Sequence, residues 1–248
     1  MTVLNIGQRE GTEMNKDHSE LQIKEKVRQI VLTSGADVCG IAGMERFEKV
    51  PEGFRPVDIW ADCKSVICLG VALPKGLSAV SPRLIYGHYN GMICEQADRA
   101  ALRSAKEIEK LGALAVPLPG DGPYEYWDEQ TRTGKGLVSV KEIAVACGLG
   151  QLGKNTILLN PKYGSMLNMS VILTDLELES DPYAESICIP GCHKCVENCP
   201  AHAIGENGSV NQLACREMTY HKTARGFDTV DCNQCRTICP MRFGKIRV

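Results

Sequence analysis

The chain has 248 residues, 44% of them hydrophobic and 23% charged, with a formal net charge of -2. That length allows one sizeable core plus a small second unit. Acids and bases are interspersed, which excludes the one-sided charge of a nucleic-acid or membrane-surface binder.

The polar stretch 1–19 reads as a tail without the apolar core of a signal peptide. No run approaches the roughly 20 apolar residues of a membrane span, so a cytoplasmic protein with no membrane partner is expected. Ser19 followed by Gln22 has the form of a capping box, and Ile23, Val27, Ile30 and Val31 recur at helical spacing until Gly35. Asp37–Ala42 and Ser65–Leu73 are apolar runs rich in β-branched residues, which read as buried strands. Leu102, Ala105, Ile108 and Leu111 predict a helix over 95–111, ended by Gly112. Val116–Pro123 is a turn-rich loop, and 124–136 adds three acids and three aromatics without periodicity. Loops of that length tend to be functional. Val140, Ile143, Ala144 and Cys147 mark another helix, while Thr156–Leu159 and Met169–Thr174 read as strands. Beyond Ser180 the composition shifts to Cys, Pro and short turns, which places a boundary between an α/β unit over 20–179 and a small unit over 180–248.

Thirteen cysteines in a reducing compartment point away from disulfides and toward metal or redox chemistry. Eight fall between Cys188 and Cys239: Cys188, Cys192, Cys195 and Cys199 precede Pro200; Cys232, Cys235 and Cys239 precede Pro240; Cys215 lies between the runs. Two-cluster ferredoxins use C-x2-C-x2-C-x3-C-P, the fourth cysteine serving the other cluster. By that rule Cys188, Cys192, Cys195 and Cys239 hold one 4Fe-4S cluster and Cys199, Cys215, Cys232 and Cys235 the second. Thiolates are soft donors suited to iron, and short spacings let them converge on a cubane. Three residues separate Cys188 from Cys192 in place of two, so the loop must bulge or His193 substitutes as a ligand. Paired zinc sites are the alternative, although zinc has no need of the repeated C-x3-C-P. Cys39, Cys63, Cys68, Cys94 and Cys147 lack partners at ligand spacing and read as buried free thiols.

Residues 148–155 (GLGQLGKN) satisfy GxGxxG and nearly a Walker A motif, but a helical pattern precedes them and a strand follows, the inverse of a dinucleotide site. The glycines are expected to let backbone approach backbone or a flat cofactor, and Lys154 to be solvated or to meet an anion.

The stretch 138–175, the two cysteine runs and Leu213–Tyr220 (LACREMTY), with a weaker match over Tyr86–Pro119, resemble epoxyqueuosine reductase and its relatives. The resemblance implies an α/β (α+β) fold: a nitroreductase-like domain with a mixed sheet, followed by a bacterial ferredoxin-like domain with two 4Fe-4S clusters, as also in reductive dehalogenases. It implies an oxidoreductase with a cobalamin between the domains, FMN being the alternative occupant. Gly150, Gly153, Lys154, Asn155 and Ser165 are the candidate cofactor-binding residues. An external donor such as ferredoxin or flavodoxin and a small-molecule substrate follow. The family's acidic proton donor falls here at Gly134, Lys135 and Gly136, leaving Asp121, Tyr124, Asp128 or Glu129 to substitute. The family's C-terminal helical repeats have no counterpart before Val248, so tRNA is not expected as a partner. A non-catalytic electron carrier or corrinoid-handling protein is the alternative function.

Overall fold

The computed structural model describes residues 21–81 and 83–245, the side chain of His221 excepted; Ser19 of the expected capping box lies outside them. Helix α1 is described over 21–33 and is followed by β1 (Val38–Gly43), the single turn α2 (Pro56–Ile59) and β2 (Ser65–Ala72). Then come α3 (Leu84–Glu109), β3 (Ala115–Leu118), a hairpin of β4 (Tyr126–Asp128) and β5 (Thr133–Lys135), and α4 (Val140–Ala146). A two-residue pair, β6 (Gln151–Leu152) with β7 (Leu158–Leu159), precedes the long β8 (Leu167–Thr174). The cysteine-rich segment holds α5 (Lys194–Glu197), α6 (Gln212–Thr219), the hairpin β9 (Tyr220–Lys222) and β10 (Asp228–Val230), and α7 (Gln234–Thr237).

The main sheet has the order β1-β2-β8-β3, and each of its pairings is antiparallel. The expected mixed sheet is therefore corrected. The continuous apolar runs arise because the sheet is covered on both faces, which in sequence looks the same as a buried parallel strand. Side chains alternate across β2: Ile67, Leu69 and Val71 join a core with Val27 and Val31 of α1 and with Ala97, Ala100, Ala101, Ala105 and Ile108 of α3. Val66 and Cys68 face the other way, toward Ile143, Ala144 and Cys147 at α4. The alanine stripe of α3 contributes little bulk, so the helix lies close against the strands.

Two further expectations change. The loop predicted from Val116 contains β3, an edge strand that tolerates Pro117 because its outer side needs no ladder donor. The strand expected over Thr156–Leu159 shrinks to Leu158–Leu159, since Thr156 adopts φ +55° in the turn that leads into it. Ser139 caps α4, its Oγ accepting from Glu142 N.

The tail is tied down where it begins. The Asp181 carboxylate accepts from Arg28 Nη2 at 2.8 Å and from Ile41 N at 2.9 Å, and Lys24 Nζ lies 2.9 Å away. It is tied again where it ends, by Ser165 N to Arg242 O and Lys245 N to Pro161 O. Between those ties, α5 packs on α7 and β10 on α3.

Candidate metal centre

Four-residue helices α5 and α7 each carry an internal cysteine, Cys195 and Cys235, so the two runs meet where these turns pack together. Cys188, Cys192, Cys195 and Cys239 line one narrow pocket. The extra residue between Cys188 and Cys192 does not keep Cys188 from it, and His193, the N-cap of α5, is not among the lining residues.

Electrostatics at four of the eight thiols follows the same grouping. Burial pushes the Cys239 thiol up, and Cys188, Cys195 and Cys192 push in the same direction. Cys195 is raised by burial and by Cys188 and Cys192. Burial lifts Cys235 to about 11 against the pull of Arg236, with Cys232, Cys215 and Cys199 adding to the rise. Cys215 is raised by burial, then by Cys232 and Cys199. Each set thus has three sulfurs from one part of the tail and one from the other, although among the described residues no three His, Cys, Asp or Glu side chains close to the geometry of a single metal ion. Raised thiols bind metal by giving up protons, so loading is favoured as pH rises.

The loop over 150–155 joins both sets. Lys154 Nζ donates to Cys192 O at 2.9 Å, and Asn155 Nδ2 donates to Cys235 O at 3.2 Å. A Cβ on Gly150 would lie 2.5 Å from Leu159 O, so backbone meets backbone there. A Cβ on Gly153 would meet Leu159 and Asn155. Ser165 is fully buried, and its Oγ has no hydrogen-bond partner.

Sequence reasoning missed the groups around the second set. Arg83, the N-cap of α3, donates from Nη1 to Cys232 Sγ at 3.5 Å. The Nη1 atom of Arg236 is buried without a partner. Tyr86 is raised by burial and feels Arg236, Cys235, Cys94 and Cys232. Cys94 is lifted to about 11 by burial, then by Asp121, with Arg236 opposing. The signals were faint: Arg216 and Arg236 each directly follow a cysteine of this set.

Arg216 of α6 also holds the β4–β5 hairpin. Its guanidinium lies 4.8 Å from the Trp127 ring centroid and 5.4 Å from that of Tyr124, and it donates to Arg132 O and, at 3.4 Å, to Tyr124 Oη. Tyr124 Oη donates to Asp121 Oδ1 at 3.3 Å, and burial followed by Asp121 raises the phenol. Asp128 is held low by backbone donors from Thr131 and Gln130, and Glu129 accepts from Trp127 Nε1. Of the candidate proton donors, Tyr124 is the one whose protonated form burial and the neighbouring Asp121 favour.

No protein-family model matches the chain. An epoxyqueuosine reductase of Bacillus subtilis is 23% identical over 254 residues, covering 90% of this chain and 64% of the relative. A solved epoxyqueuosine reductase bound to an epoxyqueuosine-modified tRNA-Tyr stem loop matches with a TM-score of 0.64 at 19% identity, covering 92% of this chain and 67% of that one. The chain is homologous to the epoxyqueuosine reductases. It also shares its fold with a catabolic reductive dehalogenase, at a TM-score of 0.59 and 17% identity, covering 87% of this chain and 31% of that one. The chain thus spans a little under two thirds of the Bacillus subtilis relative's length. The tRNA-bound structure overturns the expectation that tRNA is excluded. That expectation rested on where the chain ends and on the interspersed charge, neither of which says what the shared fold contacts. Among the described residues no helix is long and apolar enough to cross a membrane.

Proposed function

We propose that this chain is an iron-sulfur reductase of the epoxyqueuosine reductase type, with two 4Fe-4S clusters held by Cys188, Cys192, Cys195 and Cys239 and by Cys199, Cys215, Cys232 and Cys235. The observation that supports the reading is that Cys188, Cys192, Cys195 and Cys239 line one pocket, while Cys235 is raised by Cys232, Cys215 and Cys199. The tail over 180–248 is then a ferredoxin-like unit, and the unit over 20–179 carries the substrate cleft. Cluster potentials reach as low as about -700 mV, low enough to reduce a corrinoid. A donor such as ferredoxin or flavodoxin in a reducing cytoplasm would refill them.

The buried Ser165 Oγ and Arg236 Nη1, both without a hydrogen-bond partner, are the groups that would meet the polar periphery of a cobalamin. When bound, such a group supplies a strongly nucleophilic reduced metal, and the protein supplies orientation and dryness. The substrate is an epoxide-bearing nucleoside presented by a tRNA stem loop, as the solved relative holds. Reducing an epoxide to an alkene consumes two electrons and two protons and releases the oxygen as water. Tyr124, kept protonated by burial beside Asp121, delivers a proton.

The test is anaerobic preparation and metal analysis, followed by incubation with cobalamin, a low-potential reductant and an epoxyqueuosine-bearing stem loop. About eight irons per chain and loss of one oxygen from the nucleoside by mass spectrometry are expected. Stoichiometric zinc in colourless protein overturns the reading.

A further inference from the structure

The two cysteine sets differ in what approaches their sulfurs. At the first, the nearby cation reaches backbone: Lys154 Nζ bonds to Cys192 O, and Lys194 lines the same pocket. At the second, a guanidinium from the α/β unit reaches a ligand sulfur itself, Arg83 Nη1 lying 3.5 Å from Cys232 Sγ across 149 residues of sequence. Arg236 adds its buried, unpartnered Nη1 close to Cys235, and Arg216 stands beside Cys215. With several cations around this set and the buried Asp231 directly before Cys232, the effect of any one cation is read as a difference between variants.

Resting on the two-cluster reading above, we propose that Arg83 sets the potential of the second cluster, making it the electron acceptor of the pair and fixing the direction of flow from the first set toward the α/β unit. A reduced cluster carries one more negative charge than its oxidised form, and hydrogen bonds to cluster sulfurs together with local charge are what tune its potential. A donor that stabilises the reduced form raises the potential. In the transfer itself one electron leaves the first cluster, which is oxidised by one unit, and enters the second, which is reduced by one. No bond breaks and no proton moves. A low-potential one-electron donor protein then refills the first cluster.

The placement of Arg83 gives this a structural consequence. The residue belongs to the start of α3, whose next turn packs against β10: a Cβ on Gly87 would lie 2.5 Å from Val230 O. The tail must therefore be seated on α3 for the sulfur to receive its donor, so only the docked tail has the downhill order of potentials.

Redox titration of the full chain, loaded anaerobically and followed by electron paramagnetic resonance with dithionite as reductant, tests this. Two midpoints are expected. In Arg83→Gln one of them falls by at least tenfold in the reduction equilibrium, ~59 mV for a one-electron couple, while the other stays; Arg83→Lys, which keeps a donor and a charge, recovers part of the shift. The shift persists in a Cys192→Ser background, which damages the first set. If both midpoints stay in place while each variant retains about eight irons, or if the shift vanishes with Cys192→Ser, Arg83 has no such role. Protein without iron would instead overturn the two-cluster reading on which the proposal rests.

Discussion

The sheet and the cysteine tail are held together by different physics. In the α/β unit, two eight-residue strands, β2 and β8, bury nearly every side chain between helices on both faces. In the tail the helices of the two runs span four residues each, and among the described residues a small buried cluster gathers around Cys199, Ala203 and Ile204. Burial of apolar surface stabilises the first without help. The second has too little of it, which is the usual situation of small units that use metal as their core.

Removing the metal is the largest test of that contrast. Chelation of anaerobically loaded protein should abolish hydrogen-exchange protection over 188–239 while amides of β2 and β8 keep theirs. Equal loss in both regions would mean that the sheet, too, depends on the clusters. The converse comes next in size. Ile172→Ala, at a fully buried position facing α3, should cost about 2–5 kcal/mol in urea unfolding of the sheet and leave the iron count unchanged.

The smallest effect is on the alkaline side. Burial in the α/β unit pushes the Cys39 thiol up to about 12, with Arg28 opposing and Asp181 reinforcing. The fold favours the neutral thiol, so this contribution is intact below an unfolded thiol's value of about 8.5 and is lost progressively as pH climbs toward 12. In the metal-free chain, Cys39→Ala should flatten the decline in stability measured by urea unfolding between about pH 9 and 11. An unchanged slope would show that other groups govern it.

The candidate ligand set could be read from the sequence because its spacing is local: Cys188, Cys192, Cys195 and Cys199, echoed by Cys232, Cys235 and Cys239, are an arrangement of residues along the chain. The start of α3 was not. Its first turns, LIYGHYNG, precede the helix expected over 95–111 and carry two glycines, yet Gly87 is where the tail's backbone approaches the helix closely, and Tyr86 is buried against Met166. A residue that looks like a helix breaker was a contact point. The antiparallel sheet escaped for a related reason, since apolar runs record burial on both faces and not strand direction.

Composition, periodicity and cysteine spacing determined that this chain has buried strands packed with helices and a cysteine-rich tail, because each of those features is written in neighbouring residues. Only the tertiary structure decided which loops clamp the thiols, where Lys154 and Asn155 are spent, and that Arg83 reaches Cys232. Those contacts join residues scores of positions apart, and they exist only once the sheet has fixed where α3 begins and where the tail comes to rest.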